Sequence, residues 1–408
     1  MARARTCLRL TMADSTQFDY LIIGGGMSAD TAARGIRELD ADGTIGILSE
    51  DVDEPYTRPA LSKKLWTDPE FTWDPVPLGT ADATGAQIRL QCSVSTIRPA
   101  EHEVDTTGGD TVGYGKLLIA TGGAPRLLPV PAGPKVLPFR SAQNYRDLRT
   151  LADQHGRIAV VGGGFIGTEL AAALVQNDVE TVLIHDGSVV GGNVFPPDLA
   201  KHFEQLFIDA GVEIVGGTRV VGGEVTDDGV RLDLADGDPV TVDAVVSGLG
   251  ITPVVSLVET AGITVDDGIV VDEQLRTSAE DVWACGDVAN YPDRILGQRR
   301  VEHVDNAEQM GKAAGRNLAG AGQPYAHTPL YYSDVFTASY EAVGRLDGSL
   351  EVVEDWQEPF DTGVVYYLDE GKPVGVLLWN VWDSTDAARE VLASADTLSR
   401  EDLIGRIR

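Results

Sequence analysis

Cysteine is scarce in this chain. Cys7, Cys92 and Cys285 are widely spaced among 408 residues. With no C-x-x-C and no Cys/His spacing of metal-site type, neither a zinc cluster nor a disulfide framework is available. A reducing, cytoplasmic setting is the expectation. Positive charge is short as well: 63 acidic residues face 32 basic ones, a net charge of −31. Nucleic-acid binding leaves a basic footprint, whereas this field repels phosphate backbones and anionic membrane surfaces. No apolar run approaches the roughly 20 residues of a membrane-spanning helix. Lysine is much rarer than arginine, and aspartate is abundant. That balance suits work in concentrated salt, where screening relieves self-repulsion. Residues 1–12, MARARTCLRLTM, lack the apolar core of a signal peptide. They read as a disordered tail, or as a start placed too early with Met12 the true one.

Glycine is what the chain has in excess, 46 residues. The stretch from Arg157 to Glu169, RIAVVGGGFIGTE, places Gly162, Gly164 and Gly167 between an apolar strand-like run and the helical segment TELAAALVQN. This is G-x-G-x-x-G in the context that gives it meaning. The first glycine allows a tight turn, the second lets backbone approach a pyrophosphate, and the third lets helix pack on strand. The helix N-terminus then offers N–H groups and partial positive charge to phosphate. The next apolar run, Thr181 to Ile184, ends at His185-Asp186. Asp186 is placed to accept from ribose hydroxyls, and no Arg or Lys follows closely to welcome a 2′-phosphate, so NAD is favoured over NADP.

The pattern occurs twice. Phe18 to Ile23 runs into Gly24-Gly25-Gly26 and Met27-Ser28-Ala29, the G-x-G-x-x-A variant, and the following strand ends at Glu50-Asp51. Two cradles predict two dinucleotides, with FAD and NAD the economical pair. Leu117 to Gly123 and Val282 to Asp287 read as further strands ending in glycine turns. The second lies far beyond the Gly162 fingerprint, so the first domain must be interrupted. The expectation is an α/β chain with two Rossmann-like domains of glutathione-reductase type. FAD binding falls to 13–140 and 267–327, NAD binding to 141–266, and a C-terminal α+β domain to 328–408.

These motifs resemble the FAD-dependent pyridine-nucleotide oxidoreductases, in particular the apoptosis-inducing factor branch. The resemblance rests on PYTRPALSKKLW (55–66), YGKLLIATGGAPR (114–126), VEHVDNAEQMGKAAGRNLAG (301–320), YSDVFTASYEAVG (332–344) and VGVLLWN (374–380). Ferredoxin- and rubredoxin-reductases share much of it. By position, the resemblance implies FAD contacts from Gly24, Gly25, Gly26, Met27, Ser28, Glu50 and Asp51. Arg58, Lys63, Val94, Arg140 and Asp287 complete that set, with Asp287 accepting from a ribityl hydroxyl. For the nicotinamide nucleotide it implies Gly164, Phe165, Ile166, Gly167, Asp186, Gly250, Glu302, His303, Tyr332, Glu341 and Asn380. Tyr332 stands where the animal proteins have Trp. Their long C-terminal insertion is replaced by a short segment near Leu350 to Asp361, and their basic DNA surface is missing. A nuclear role is therefore not transferred. Disulfide reductases of this fold carry a cysteine pair and the peroxidases a single cysteine where this chain has Pro-Tyr-Thr-Arg-Pro. Thiol chemistry is excluded on that basis, with Cys285 read as a small buried apolar residue.

Hydride transfer needs no protein nucleophile, because the cofactors carry the chemistry and the protein supplies placement and charge. The resemblance pairs Lys63 with Glu169, holding an ammonium near flavin N5; these two are the candidate catalytic residues. His303 reads as a cofactor contact and His185 as incidental, and no metal is expected. Three roles follow. The first is an NADH oxidoreductase passing electrons to a quinone or one-electron carrier. The second is the reductase of a ferredoxin or rubredoxin. The third is an NADH-sensing scaffold that forms a homodimer on reduction.

Overall fold

The computed structural model describes residues 16–394 and 397–407; the tail expected at 1–12 lies outside them. The chain forms two compact units, one from residues up to 58, 73–124 and 252–329, the other from 59–72, 125–251 and 330 onwards.

In the first unit the central strand is Gln17–Ile23, whose Leu21, Ile22 and Ile23 are all buried. A strand with parallel neighbours on both sides reads as an apolar run rather than an alternation. It pairs in parallel with Ile45–Leu48 and with Thr111–Ile119. Gln87–Arg89 extends the sheet beyond Ile45–Leu48. The start of Thr111–Ile119 turns into an antiparallel meander with Glu103–Thr106 and Val94–Arg98. Its end pairs in parallel with Val282–Ala284, which returns from far down the chain. The Val282 strand is shorter than the sequence implies. Gly286 adopts a left-handed φ of +75°, and a 3-10 turn, Gly286–Val288, takes over.

Helix Met27–Arg37 leaves the glycine turn and packs on helix Val304–Leu318, part of the returning segment. The two backbones approach so closely that side chains are excluded. A Cβ on Gly315 would lie 2.0 Å from the Ala32 carbonyl oxygen, one on Gly311 would lie 2.5 Å from that of Ser28, and one on Gly35 would lie 2.4 Å from that of Lys312.

The second unit holds a five-stranded parallel sheet in the order Glu213–Val215, Glu180–Ile184, Arg157–Val161, Ala244–Ser247, Val136–Pro138. An antiparallel trio, Val220–Thr226, Gly229–Leu234 and Val240–Val242, closes its apolar core. The C-terminal part is a five-stranded antiparallel sheet in the order Leu330–Val335, Ala338–Gly344, Lys372–Trp379, Thr362–Asp369, Glu351–Glu358. Helix Pro197–Asp209 places Phe203 edge-on to buried Trp379, with ring centroids 6.2 Å apart. Helix Phe165–Val175 packs beside Leu330–Val335. The fold class is therefore α/β, with the two glycine-turn sheets that the repeated fingerprint implies and a C-terminal antiparallel sheet.

Replacing Gly by Ala in a free helix gains about 1 kcal/mol, but forcing a methyl into a closed contact costs about 1–3 kcal/mol. The variant Gly315→Ala is expected to lower stability by the difference, up to about 2 kcal/mol, seen as an earlier denaturant midpoint. A raised or unchanged midpoint would contradict the close approach.

Candidate functional site

The two glycine turns are built alike. Gly24 has φ +115°, and a Cβ there would lie 2.2 Å from the carbonyl oxygen of Ala120, just past strand Thr111–Ile119. Gly162 has φ +120°, and a Cβ there would lie 2.5 Å from the carbonyl oxygen of Gly248, just past strand Ala244–Ser247. Gly167 holds helix to turn: its Cβ would lie 1.8 Å from the Gly162 carbonyl oxygen. Gly164 differs, because nothing lies within 4 Å of a Cβ built on it. It closes no protein contact, and the space beside it is what an approaching pyrophosphate requires.

Both helices that follow start without a side-chain cap, at Gly26 and at Gly164. Ser141 and Asn144 form a capping box on Ala142–Ala152, and His303 accepts from the Asp305 N–H at the start of Val304–Leu318, whereas Pro197–Asp209 and Thr385–Ala393 also lack a side-chain cap. The uncapped turns leave their first N–H groups for an anion. At the first turn Arg58 adds a full charge. Its Nη2 is the nearest atom to a Cβ built on Gly26, at 3.9 Å, and its N–H donates to Met27 Sδ at 3.4 Å. Glu50 and Asp186, each two residues past a parallel strand, are exposed. Asp287 sits in the 3-10 turn beside Ser28, since a Cβ on Gly286 would lie 2.4 Å from Ser28 Oγ. These features fit a dinucleotide in each unit.

Other expected contacts already have work in the protein. Asp51 accepts from the N–H groups of Val52 and Asp53 and from the Tyr56 hydroxyl. Glu302 pairs with Arg300 at 2.5 Å, and Arg300 also reaches Asp267. Asn380 accepts from the Ser339 N–H and donates to the Asp361 carbonyl. Val94 opens a meander strand, and Gly250 takes φ +78° in an open turn. Phe165 and Ile166 are about two-fifths exposed at the second helix start. Lys63 and Arg140, expected at FAD, belong to the second unit; Glu302 and His303, expected at NAD, belong to the first. Glu341 pairs in register with Tyr332, and its Oε2 is buried without a hydrogen-bond partner. Burial and the neighbouring Asp383 hold that carboxyl above the usual range.

His185, read from sequence as incidental, is buried under the second turn. A Cβ on Gly163 would lie 3.0 Å from His185 Cβ, and His185 Nε2 has no partner. Burial lowers its pKa, which keeps the ring neutral. Among the described cysteines, Cys92 and Cys285 are both buried thiols. Burial pushes Cys285 up to about 12, so no thiolate is available there. Among the described residues no group of acidic, His and Cys side chains forms a metal site.

Two residues past Gly167, Glu169 is only 5 % exposed. Lys63 Nζ lies 3.3 Å from its Oε1, 3.7 Å from Asp334 Oδ2 and 4.0 Å from the centre of the Tyr332 ring. The Ser62 hydroxyl donates to Glu169 Oε2 at 2.6 Å and the Ser333 hydroxyl to Oε1 at 2.7 Å. Burial prevails and holds the Glu169 carboxyl above the usual range, while Lys63 and both hydroxyls pull it back down. Neither serine is legible in the sequence as part of this site, although each directly flanks an expected residue, Lys63 or Tyr332.

Residues 18–311 match the family model described as pyridine nucleotide-disulphide oxidoreductase. The chain belongs to that family. Residues 314–359 and 353–394 match the apoptosis-inducing factor, mitochondrion-associated, C-terminal model. The chain is 33% identical to the 5,5'-dehydrodivanillate O-demethylase ferredoxin reductase subunit of Sphingobium, over 94% of this chain and 98% of that protein. It is 31% identical to apoptosis-inducing factor 1, mitochondrial, of Dictyostelium discoideum, over 96% and 80%. Among solved structures, the covalent putidaredoxin reductase-putidaredoxin complex matches with a TM-score of 0.86 at 26% identity, covering 94% of this chain and 95% of that one. This family member is an FAD-dependent NAD(P)H oxidoreductase. No helix among the described residues is long and apolar enough to cross a membrane.

The contrast between Gly164 and Gly167 separates binding from folding. Gly164→Ala is expected to leave the unfolding midpoint in place and to weaken dinucleotide binding about tenfold or more, since a lost charge-assisted hydrogen bond costs about 1.5–3 kcal/mol. Gly167→Ala is expected to lower the midpoint itself. Calorimetric titration with NAD and thermal unfolding of both variants check this; equal effects on stability would contradict it.

Proposed function

We propose that this protein oxidises NADH through FAD and hands the electrons on singly to a carrier of ferredoxin type. The observation that carries the NADH part is Asp186. It stands exposed at the end of its strand with no neighbouring base in the sequence, so it accepts from two ribose hydroxyls and repels a 2′-phosphate. Support for the carrier comes from the Sphingobium relative, a ferredoxin reductase subunit matched over 98% of its length. The C-terminal match to the apoptosis-inducing factor model favours a second reading, in which a quinone or small oxidant is the acceptor and reduction drives dimerisation.

When bound, the two cofactors would supply the chemistry, hydride transfer from nicotinamide to flavin. The chain's own residues prepare for it. Gly24–Gly26, Arg58 and the first turn of Met27–Arg37 hold the FAD pyrophosphate, Glu50 its ribose and Asp287 its ribityl chain. Gly164 and the first turn of Phe165–Val175 hold the NAD pyrophosphate, and Asp186 its ribose. Glu341, with its unpartnered buried oxygen, is the acceptor for the nicotinamide amide. Lys63, fixed by Glu169, supplies positive charge toward the flavin, where negative charge grows on reduction.

Anaerobic titration tests this reading. NADH is expected to bleach the flavin at far lower concentration than NADPH, and Asp186→Ala to abolish the preference. Lys63→Ala is expected to slow flavin reduction about tenfold or more, the loss of one charge-assisted contact. Rapid reoxidation by a [2Fe–2S] ferredoxin supports the carrier. Reoxidation by quinone alone, with dimer formation on sizing, supports the second reading. Equal use of NADPH would sink the Asp186 argument.

A further inference from the structure

Glu169 is a carboxylate in a poor place for one, nearly closed off from water on the first turns of a helix. Its counter-ion is not its closest partner. Charge-assisted N–H···O bonds run at about 2.7–2.9 Å and O–H···O bonds to a carboxylate at about 2.5–2.7 Å. Lys63 at 3.3 Å falls outside the first range, whereas Ser62 at 2.6 Å and Ser333 at 2.7 Å lie within the second. Lys63 moreover shares itself with Asp334 and the Tyr332 ring. Each serine is itself buried, at 3 % and 0 % exposure, so neither hydroxyl has water as an alternative acceptor. Tyr340 is the register partner of Ser333 across the hairpin.

We infer that Ser62 and Ser333 are positioning residues: their hydroxyls favour the ionised form of Glu169, and that carboxylate fixes the Lys63 ammonium. The ionisable groups around Glu169 are Lys63 on the 59–72 segment and Tyr340 on the C-terminal sheet, with Asp334 reaching the same Lys63 ammonium at 3.7 Å. Burial opposes ionisation of Glu169, and Tyr340 stays neutral, pushed up by its own burial. Lys63 alone therefore stands with the two serines on the side of the carboxylate. Removing either hydroxyl strands a lone pair in a dry site, and the group answers by taking up a proton.

The part of this that concerns the flavin rests on the proposed placement of Lys63; the clamp itself does not. The test is an infrared pH titration of the FAD-loaded protein, following the carboxylic-acid C=O band that disappears in Glu169→Gln. In Ser62→Ala and in Ser333→Ala the midpoint of that band is expected to move up by about one pH unit or more, tenfold in the ionisation equilibrium. Ser62→Thr is expected to restore it. Where alanine does not fold, Ser62→Cys and Ser333→Cys, of similar size but poor donors, are expected to give the same upward shift. An unmoved midpoint in both serine variants overturns the clamp. The flavin midpoint potential, read on the same samples, separates the two ideas. Between the parent and variant midpoints Glu169 is neutral only in the variant, the Lys63 charge is uncompensated, and the potential is expected to rise. A shifted band with an unshifted potential keeps the clamp and removes Lys63 from the flavin.

Discussion

The structure depends on how closely its backbone can approach itself at two turns. At Gly24 and at Gly162 the chain leaves a central parallel strand with positive φ and passes against the carbonyl that ends the neighbouring strand, Ala120 in one unit and Gly248 in the other. Any side chain there would collide. The helix that follows each turn begins without a side-chain cap. The two turns differ at the third position, Ala29 in one and Gly167 in the other. Gly167 lets its helix press against the Gly162 carbonyl. Gly167 closes a contact within the fold, whereas Gly164 leaves space beside the start of its helix.

Charge is handled by the same economy. A chain with a net charge of −31 places a buried carboxylate at Glu169 and surrounds it with donors rather than relying on a single ion pair. Desolvating a charge costs several kcal/mol, and a lone pairing seldom repays it. Short hydroxyl bonds satisfy the carboxylate oxygens and leave the ammonium of Lys63 divided among Glu169, Asp334 and Tyr332. An ammonium held this loosely by its own chain remains available to another anion.

Much of this was legible in the sequence because it depends on local chemistry. Strand, glycine turn, helix and acidic strand end are contiguous, so the turns at Gly24 and Gly162 and the exposed acids Glu50 and Asp186 could be read from residue order alone. What could not be read depends on partners distant in sequence. Ser62 and Ser333 are separated from Glu169 by 107 and 164 residues, and a serine in a loop or an edge strand carries no pattern. His185 looked incidental beside Asp186, yet the ring lies beneath Gly163. Asn380, Glu302 and Asp51 were expected at cofactors from resemblance, and their side chains hold the protein's own backbone or an arginine.

The central claim is that each glycine turn holds its own dinucleotide through backbone amides. Hydrogen exchange, followed peptide by peptide in flavin-free protein, addresses it most directly. FAD is predicted to slow exchange across residues 24–28 while leaving 162–167 unchanged, and subsequent NAD to slow exchange across 162–167. Protection of the Gly162 turn by FAD, or no protection at either turn, would contradict the account.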